Sequence, residues 1–315
     1  MMTDLGFSLA ITAPIFSMLG FGILFKRVGW ISDEFASVGA DLVFKVTLPC
    51  LLFIKLVETD FLHNLPVKLV GYAVLATLLV FVFIDRVIAL HLDNRFDRGA
   101  FVQGAFRSNM GIIGLAFCLS AFGDKVVAAA SIYLAVLTAL FNVLAVITLT
   151  GHQTHPTTQT SYSKIFINIG KNPLILAIIA GVLISLSGLK VPEFFLTTGG
   201  YFARMTLPLA LLCAGASIRL HEFHASKALY WASAGKLLFV PLAITLGGIF
   251  IGLRGEHLGV LYLMCASPTA AASYPMTQAM GGNHHLAAAI IAATSLGSLV
   301  FTTLGIFLLR SFQLI

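Results

Sequence analysis

The sequence predicts an all-α integral membrane protein of ten transmembrane helices, built as two five-helix repeats of opposite orientation. Three observations carry that prediction: apolar runs too numerous for a soluble core, two runs interrupted by polar and small residues, and a constant offset relating the two halves of the chain. The 315 residues are 58% hydrophobic and 10% charged, with a mean hydropathy of +0.97. A soluble domain carries about 25% charged residues. The net charge of +6 is dispersed between apolar runs rather than gathered on one stripe, so the cations read as topology signals and no nucleic-acid partner is expected.

A span needs roughly 20 largely apolar residues. Ten cores fit, at 7–26, 38–57, 66–90, 98–121, 125–149, 166–188, 194–217, 227–252, 256–280 and 284–310. Asp4 precedes the first run and Lys26-Arg27 follows it, the reverse of a signal peptide, so it reads as a first span with its N-terminus outside. The polar stretch 151–164 is the central linker between a first unit, 1–150, and a second, 165–315. Cys50, Cys118, Cys213 and Cys265 lie within apolar runs without metal-ligand spacing, and read as small buried residues rather than ligands.

An offset of 159 residues pairs Pro14 with Pro173, Gly22 with Gly181, Gly29 with Gly188, Glu34 with Glu193, and Thr47-Leu48-Pro49 with Thr206-Leu207-Pro208. Apolar coincidences are cheap in such a sequence; matched prolines, glycines and charges are not. Because each unit has an odd number of spans, the second copy enters the membrane from the opposite side. Nine loop cations (Lys26, Arg27, Arg86, Arg95, Arg98, Lys164, Lys171, Arg219 and Lys227) then face inward against five outward. That asymmetry predicts a multi-pass protein of the cell (inner) membrane with both termini outside.

The fourth run is broken at Arg107-Ser108-Asn109-Met110-Gly111-Ile112-Ile113-Gly114, and the ninth, at the same offset, at Ser267-Pro268-Thr269-Ala270-Ala271-Ala272-Ser273-Tyr274-Pro275. Irregular backbone at membrane depth survives only where protein buries it or a watery cavity receives it. Paired interruptions in equivalent positions point to the midplane site of a secondary transporter. The candidate substrate-binding residues are therefore Asn109, Ser108, Gly111, Pro268, Thr269, Ser273 and Tyr274, with Arg107 and Lys236 supplying positive charge. For Asn109, ligand contact and mending of the exposed backbone both stay open; for Lys236, facing the cargo and capping a helix's carbonyl end both stay open. Gly111 and Gly114 suit close helix packing. Lys45, Lys55 and Arg204 read as side chains reaching for the nearer interface.

No Asp, Glu or His lies deep in a span; Asp41, Glu58 and Asp85 fall toward span ends. A relay of buried carboxylates has no members, and cations, hydroxyls and helix N-termini suit a small organic anion as cargo. No cofactor is expected, and sodium or proton coupling stays open. An intramembrane enzyme lacks a base near a nucleophile, so the chain is read as no enzyme. A sodium- or proton-coupled cation antiporter or symporter is the alternative.

At the two interruptions, together with Gly20-Phe21-Gly22 and Thr47-Leu48-Pro49, the sequence resembles the auxin efflux carrier family, in particular its bacterial branch of malonate-type permeases. Asn109 followed by Gly114 is similar to that family's fourth-span break, and Pro268 with Ala270, Ser273 and Tyr274 to its ninth. The resemblance implies a fold like bile-acid and sodium/proton transporters. Spans 1, 2, 6 and 7 would form a scaffold and spans 3–5 and 8–10 a moving transport domain in which broken helices 4 and 9 cross. It also implies elevator-type transport and, as in plant members, a possible homodimer through the scaffold helices. Where plant members carry a proline after the asparagine-glycine pattern this chain has Ala116, which favours a metabolic carboxylate such as malonate over auxin.

Overall fold

The computed structural model describes residues 2–58, 66–152, 171–218 and 226–315. Most of the linker expected at 151–164, with Lys164 and Arg219, lies outside them, as does the start of the sixth expected span. Among the described residues every regular element is helical. Helices α1 (Met2–Arg27), α2 (Asp33–Leu42), α3 (Leu48–Val57), α4 (Val67–Phe83), α5 (Arg95–Phe106), α6 (Leu115–Phe122) and α7 (Val127–Gly151) make up the first half. Helices α8 (Pro173–Ser187), α9 (Glu193–Ala216), α10 (Lys227–Ala234), α11 (Val240–Phe250), α12 (Gly255–Ala266), α13 (Ser273–Ala279) and α14 (His284–Ser311) make up the second.

Among the described residues, five stretches are long and apolar enough to cross a membrane: Asp4–Arg27, Val67–His91, Met110–Gly151, Lys227–Phe250 and His284–Ser311. Met110–Gly151 exceeds one crossing and divides at Gly123, whose φ of 64° suits a residue without a Cβ. The outer surface is apolar, with Leu79, Phe83, Leu183, Phe250 and Val300 all exposed. Patches of that extent suit hydrocarbon rather than water.

Local sequence explains where helices start and bend. Ser32 caps α2 by accepting the Phe35 amide, Asn172 caps α8 by accepting Leu174 N ahead of Pro173, and Ser226 caps α10 by accepting Leu229 N. The second apolar run begins at Asp33, earlier than expected, because that cap starts the helix before the hydrophobic residues do. Two π turns, Val43–Thr47 and Gly235–Phe239, precede Pro49 and Pro241. A proline ring clashes with the carbonyl four residues back, and the wider π turn relieves that clash. In these turns Leu48 N bonds Val43 O and Val240 N bonds Gly235 O. The second turn aims Lys236 inward.

Glycines set the closest helix contacts. A Cβ at Gly22 of α1 would lie 2.9 Å from Ala216 N at the end of α9 and also strike Leu212 O; one at Gly181 of α8 would lie 3.1 Å from Phe53 O of α3. Small residues let backbones approach where hydrocarbon supplies no hydrophobic drive. Toward the membrane faces, Lys45 pairs with Asp41 at 2.5 Å, Lys55 with Asp124 at 2.7 Å, and Arg204 is exposed. Asp85 is buried instead, accepting Thr148 Oγ1 at 2.6 Å and bonded to His152 Nε2 at 3.0 Å.

Candidate functional site

Both interruptions are real breaks in helical backbone, and they pair with each other. Helix α5 ends at Phe106, and Arg107 turns extended at φ −81°, ψ 110°. Helix α12 ends at Ala266, where Ser267 is extended at φ −60°, ψ 146°, as a residue preceding proline is driven to be. Ser108 and Thr269 then form an antiparallel bridge. Asn109 N donates to Pro268 O at 2.7 Å and Ala270 N to Arg107 O at 3.0 Å.

The carbonyls left over at the two helix ends have partners too, as buried backbone requires. Gln103 O accepts Arg107 N, and Gly104 O accepts Thr269 Oγ1 at 2.6 Å. Met264 O accepts Ser267 Oγ at 2.9 Å, and Ala266 O accepts Thr302 Oγ1 at 3.3 Å. Cys265 O accepts both Ser108 Oγ at 3.1 Å and Lys236 Nζ at 2.8 Å; Lys236 Nζ also donates to Ser108 Oγ. Lys236, fully buried, thus reaches both breaks and caps the carbonyl end of α12.

Beside the bridge lies a cavity of about 90 Å³ lined by Arg107, Ser108, Asn109, Met110, Gly111 and Ala270–Ala272, with Phe44, Leu134, Thr138, Phe141 and Leu174 opposite. One water needs about 10–15 Å³, so a few heavy atoms fit. Arg107, 7% exposed, donates through Nη1 to Gln103 Oε1 at 2.7 Å and to Met276 Sδ at 3.2 Å, and through Nη2 to Asn142 Oδ1 at 2.7 Å. A guanidinium has five N–H groups. Among the described residues, Nε–H and one Nη2–H therefore have no partner, and no carboxylate pairs with Arg107. The side-chain amide of Asn109, a residue 8% exposed, likewise bonds nothing among them.

The expected site residues thus divide. Arg107, Ser108, Asn109 and Gly111 line the cavity, whereas Lys236, Thr269 and Pro268 spend their polar groups on closing the breaks. Ser273 is buried with its hydroxyl unbonded among the described residues, and Tyr274 packs edge-on to His284 at 5.7 Å, away from the cavity lining. A Cβ at Gly114 would approach Met264 Sδ to 3.0 Å, but one at Gly111 would meet nothing closer than 3.6 Å. Close packing therefore explains Gly114 and not Gly111. Gln103 and Asn142, which hold the guanidinium, went unremarked in the sequence. Their signal was an amide inside an apolar run, in Gln103 four residues before Arg107.

Helices that break inside an apolar bundle and close around a buried cation and a small cavity define a membrane transporter. Residues 8–306 match the family model described as membrane transport protein, and the chain belongs to that family, the auxin efflux carrier family. It is similar to the uncharacterized transporter YfdV of Escherichia coli K12, 26% identical over 152 residues. The same identity and length hold for YfdV of Escherichia coli O157:H7 and of Shigella flexneri. The match covers 48% of this chain and 48% of each relative, so the chain spans about half the length of the curated relatives it matches.

Proposed function

We propose that this transporter moves small organic anions such as malonate across the cell membrane by an elevator motion of the bundle that holds both breaks. The observation that carries this reading is a buried guanidinium with, among the described residues, two spare N–H groups and no carboxylate partner, facing a cavity beside the Asn109 amide, itself unbonded among them. A buried charge without a counter-ion is costly, and an arriving carboxylate supplies one in bidentate geometry. Met110 and Gly111 start the next helical turn at the same cavity, and N–H groups of a first turn lack intrahelical acceptors and favour anions. No Asp or Glu is among the described lining residues, which disfavours the alternative, cation exchange.

The finer architecture, ten spans in two inverted five-helix units, has support from the glycine contacts. Gly22 and Gly181 stand at the same offset as Phe53 and Leu212. Gly22 meets the backbone at Leu212, and Gly181 meets the backbone at Phe53. The first helix of each half therefore crosses the second helix of the other at equivalent residues, as a pseudo-two-fold axis demands. Asn109 and Pro268, joined by a backbone hydrogen bond, are likewise equivalent. Arg310 Nε lies 3.4 Å from Asp4 Oδ1, so both termini share one face, in keeping with an even number of crossings. That face is outside in this proposal, and the scaffold helices are where a homodimer would form.

The test is uptake of labelled mono- and dicarboxylates into proteoliposomes, with and without sodium and pH gradients. Dicarboxylate uptake should be saturable. Asn109→Ala should weaken half-saturation by about tenfold, from the loss of one hydrogen bond of about 1–1.5 kcal/mol. Folded protein that takes up none of the anions, or whose uptake ignores this substitution, overturns the assignment.

A further inference from the structure

A pair of connected voids lies elsewhere in the bundle. One is a chamber of about 660 Å³ at the ends of α4, α5 and α10, lined by His91, Asp93, Asn94, Asp97 and Lys227. The other is a groove of about 340 Å³ between α4, α5 and α11, lined by apolar residues including Val80, Phe83, Ala105, Phe239 and Ala243. Ile88, Phe101 and Trp231 belong to both linings, so the polar chamber continues into the apolar groove. Neither shares a described lining residue with the cavity beside Asn109.

The shape is that of an amphiphile with a charged head and a hydrocarbon tail. The groove's rim is lipid-facing, since Phe83, Phe239 and Trp231 are all exposed. Trp231 stands where polar gives way to apolar, the position an indole takes at the edge of a bilayer.

The charges define the head. Asp93 and Lys227 are both exposed to the chamber, and neither has an ion-pair partner among the described residues, nor do they pair with each other. Asp97 joins Asp93 on the acidic side, with Oδ1 accepting Asn283 Nδ2 at 2.8 Å. Opposite charges that share a chamber without meeting leave room for a zwitterion between them. A primary ammonium offers three N–H donors to the aspartates, and a phosphodiester meets Lys227. A quaternary amine has no N–H to give, and an anionic head without an amine would face the two aspartates unpaired.

We propose that this groove is a binding site for one amine-bearing zwitterionic phospholipid of the ethanolamine type, its acyl chain lying along α4 and α11 and its head between Asp93 and Lys227. The lipid is a resident of the bundle and not its cargo.

The chain has two tryptophans, so Trp30→Phe leaves Trp231 as the sole reporter. The full chain in phosphatidylcholine nanodiscs would receive brominated phosphatidylethanolamine, phosphatidylglycerol or phosphatidylcholine, whose bromines quench a neighbouring indole. Brominated phosphatidylethanolamine should quench with roughly two- to fivefold preference over the other two, the ratio that exposed charge pairs support. Asp93→Asn should abolish that preference, and Lys227→Gln should reduce it. Both residues are exposed, and a size-exclusion profile identifies any variant that has not folded. Quenching equal for the three headgroups, a preference for phosphatidylglycerol, or a preference that survives Asp93→Asn would each overturn the site.

Discussion

Replacing Arg107 tests the cargo reading most directly, because the structure says what each substitution removes. Three N–H groups of the guanidinium are held by Gln103, Met276 and Asn142, leaving two for an incoming carboxylate. Each charge-assisted hydrogen bond contributes about 1.5–3 kcal/mol, and about 1.4 kcal/mol is tenfold in affinity. Arg107→Lys keeps the charge but loses the fork, and should raise the half-saturating anion concentration about 10- to 100-fold. Arg107→Gln loses both bonds and the charge, about 3–6 kcal/mol, and should raise it roughly 10²- to 10⁴-fold. The assay is concentration-dependent uptake of labelled malonate into proteoliposomes, with size-exclusion profiles after heating as the folding control. A folded Arg107→Gln protein with the parent's half-saturation would refute the reasoning, and would make Arg107 a strut between α5, α7 and α13.

Three further outcomes follow from the same geometry. Lys236→Met should stay within about 2 kcal/mol of the parent's stability, because loss of two hydrogen bonds is offset by removal of a buried charge, whereas Lys236→Ala should lose about 2–5 kcal/mol to the void; equal melting of the two variants would contradict this. Gly114→Ala should destabilise by about 1–3 kcal/mol, since the new methyl meets Met264 Sδ at 3.0 Å, while Gly111→Ala should melt like the parent. In a background lacking the four native cysteines, Ser108→Cys with Thr269→Cys should form a disulfide on oxidation, because residues bridged in antiparallel fashion lie about 4.5–5.5 Å apart at Cα. The oxidised protein should still transport if the breaks travel as one body, and loss of uptake reversed by reductant would show that they separate.

The positions of the breaks were legible because polar, glycine and proline residues stand out against hydrocarbon, and Pro268 by itself dictates an extended Ser267. The side-chain assignments were less so. Thr269 reads as a cargo contact, and Lys236 as a cargo contact or a carbonyl cap, because a hydroxyl and an ammonium in an apolar run need partners, and a sequence does not say whether the partner is a ligand or a carbonyl of another helix. Here Gly104 O and Cys265 O take them. Gly111 and Gly114 looked alike in sequence, yet only Gly114 has a close neighbour, the Met264 sulfur at 3.0 Å from an added Cβ, a distinction made by the helix opposite. The buried bonding of Asp85 to Thr148 and His152 was equally hidden, since position near a span's end foretells nothing of what packs over it.

The seam between the two breaks also constrains how the chain can be made. Ser108 and Cys265 are separated by 157 residues, so the arginine-bearing gap enters the bilayer long before the strand that closes it has been synthesised. At about 5–20 residues per second that wait lasts on the order of ten seconds. During it the early half holds open amides and carbonyls in the membrane interior, with neither the proline segment nor the lysine to quench them. Insertion machinery or trapped water must tide the nascent half over, and a ribosome stalled before residue 268 would release a fragment that quality control could recognise by that unsealed gap.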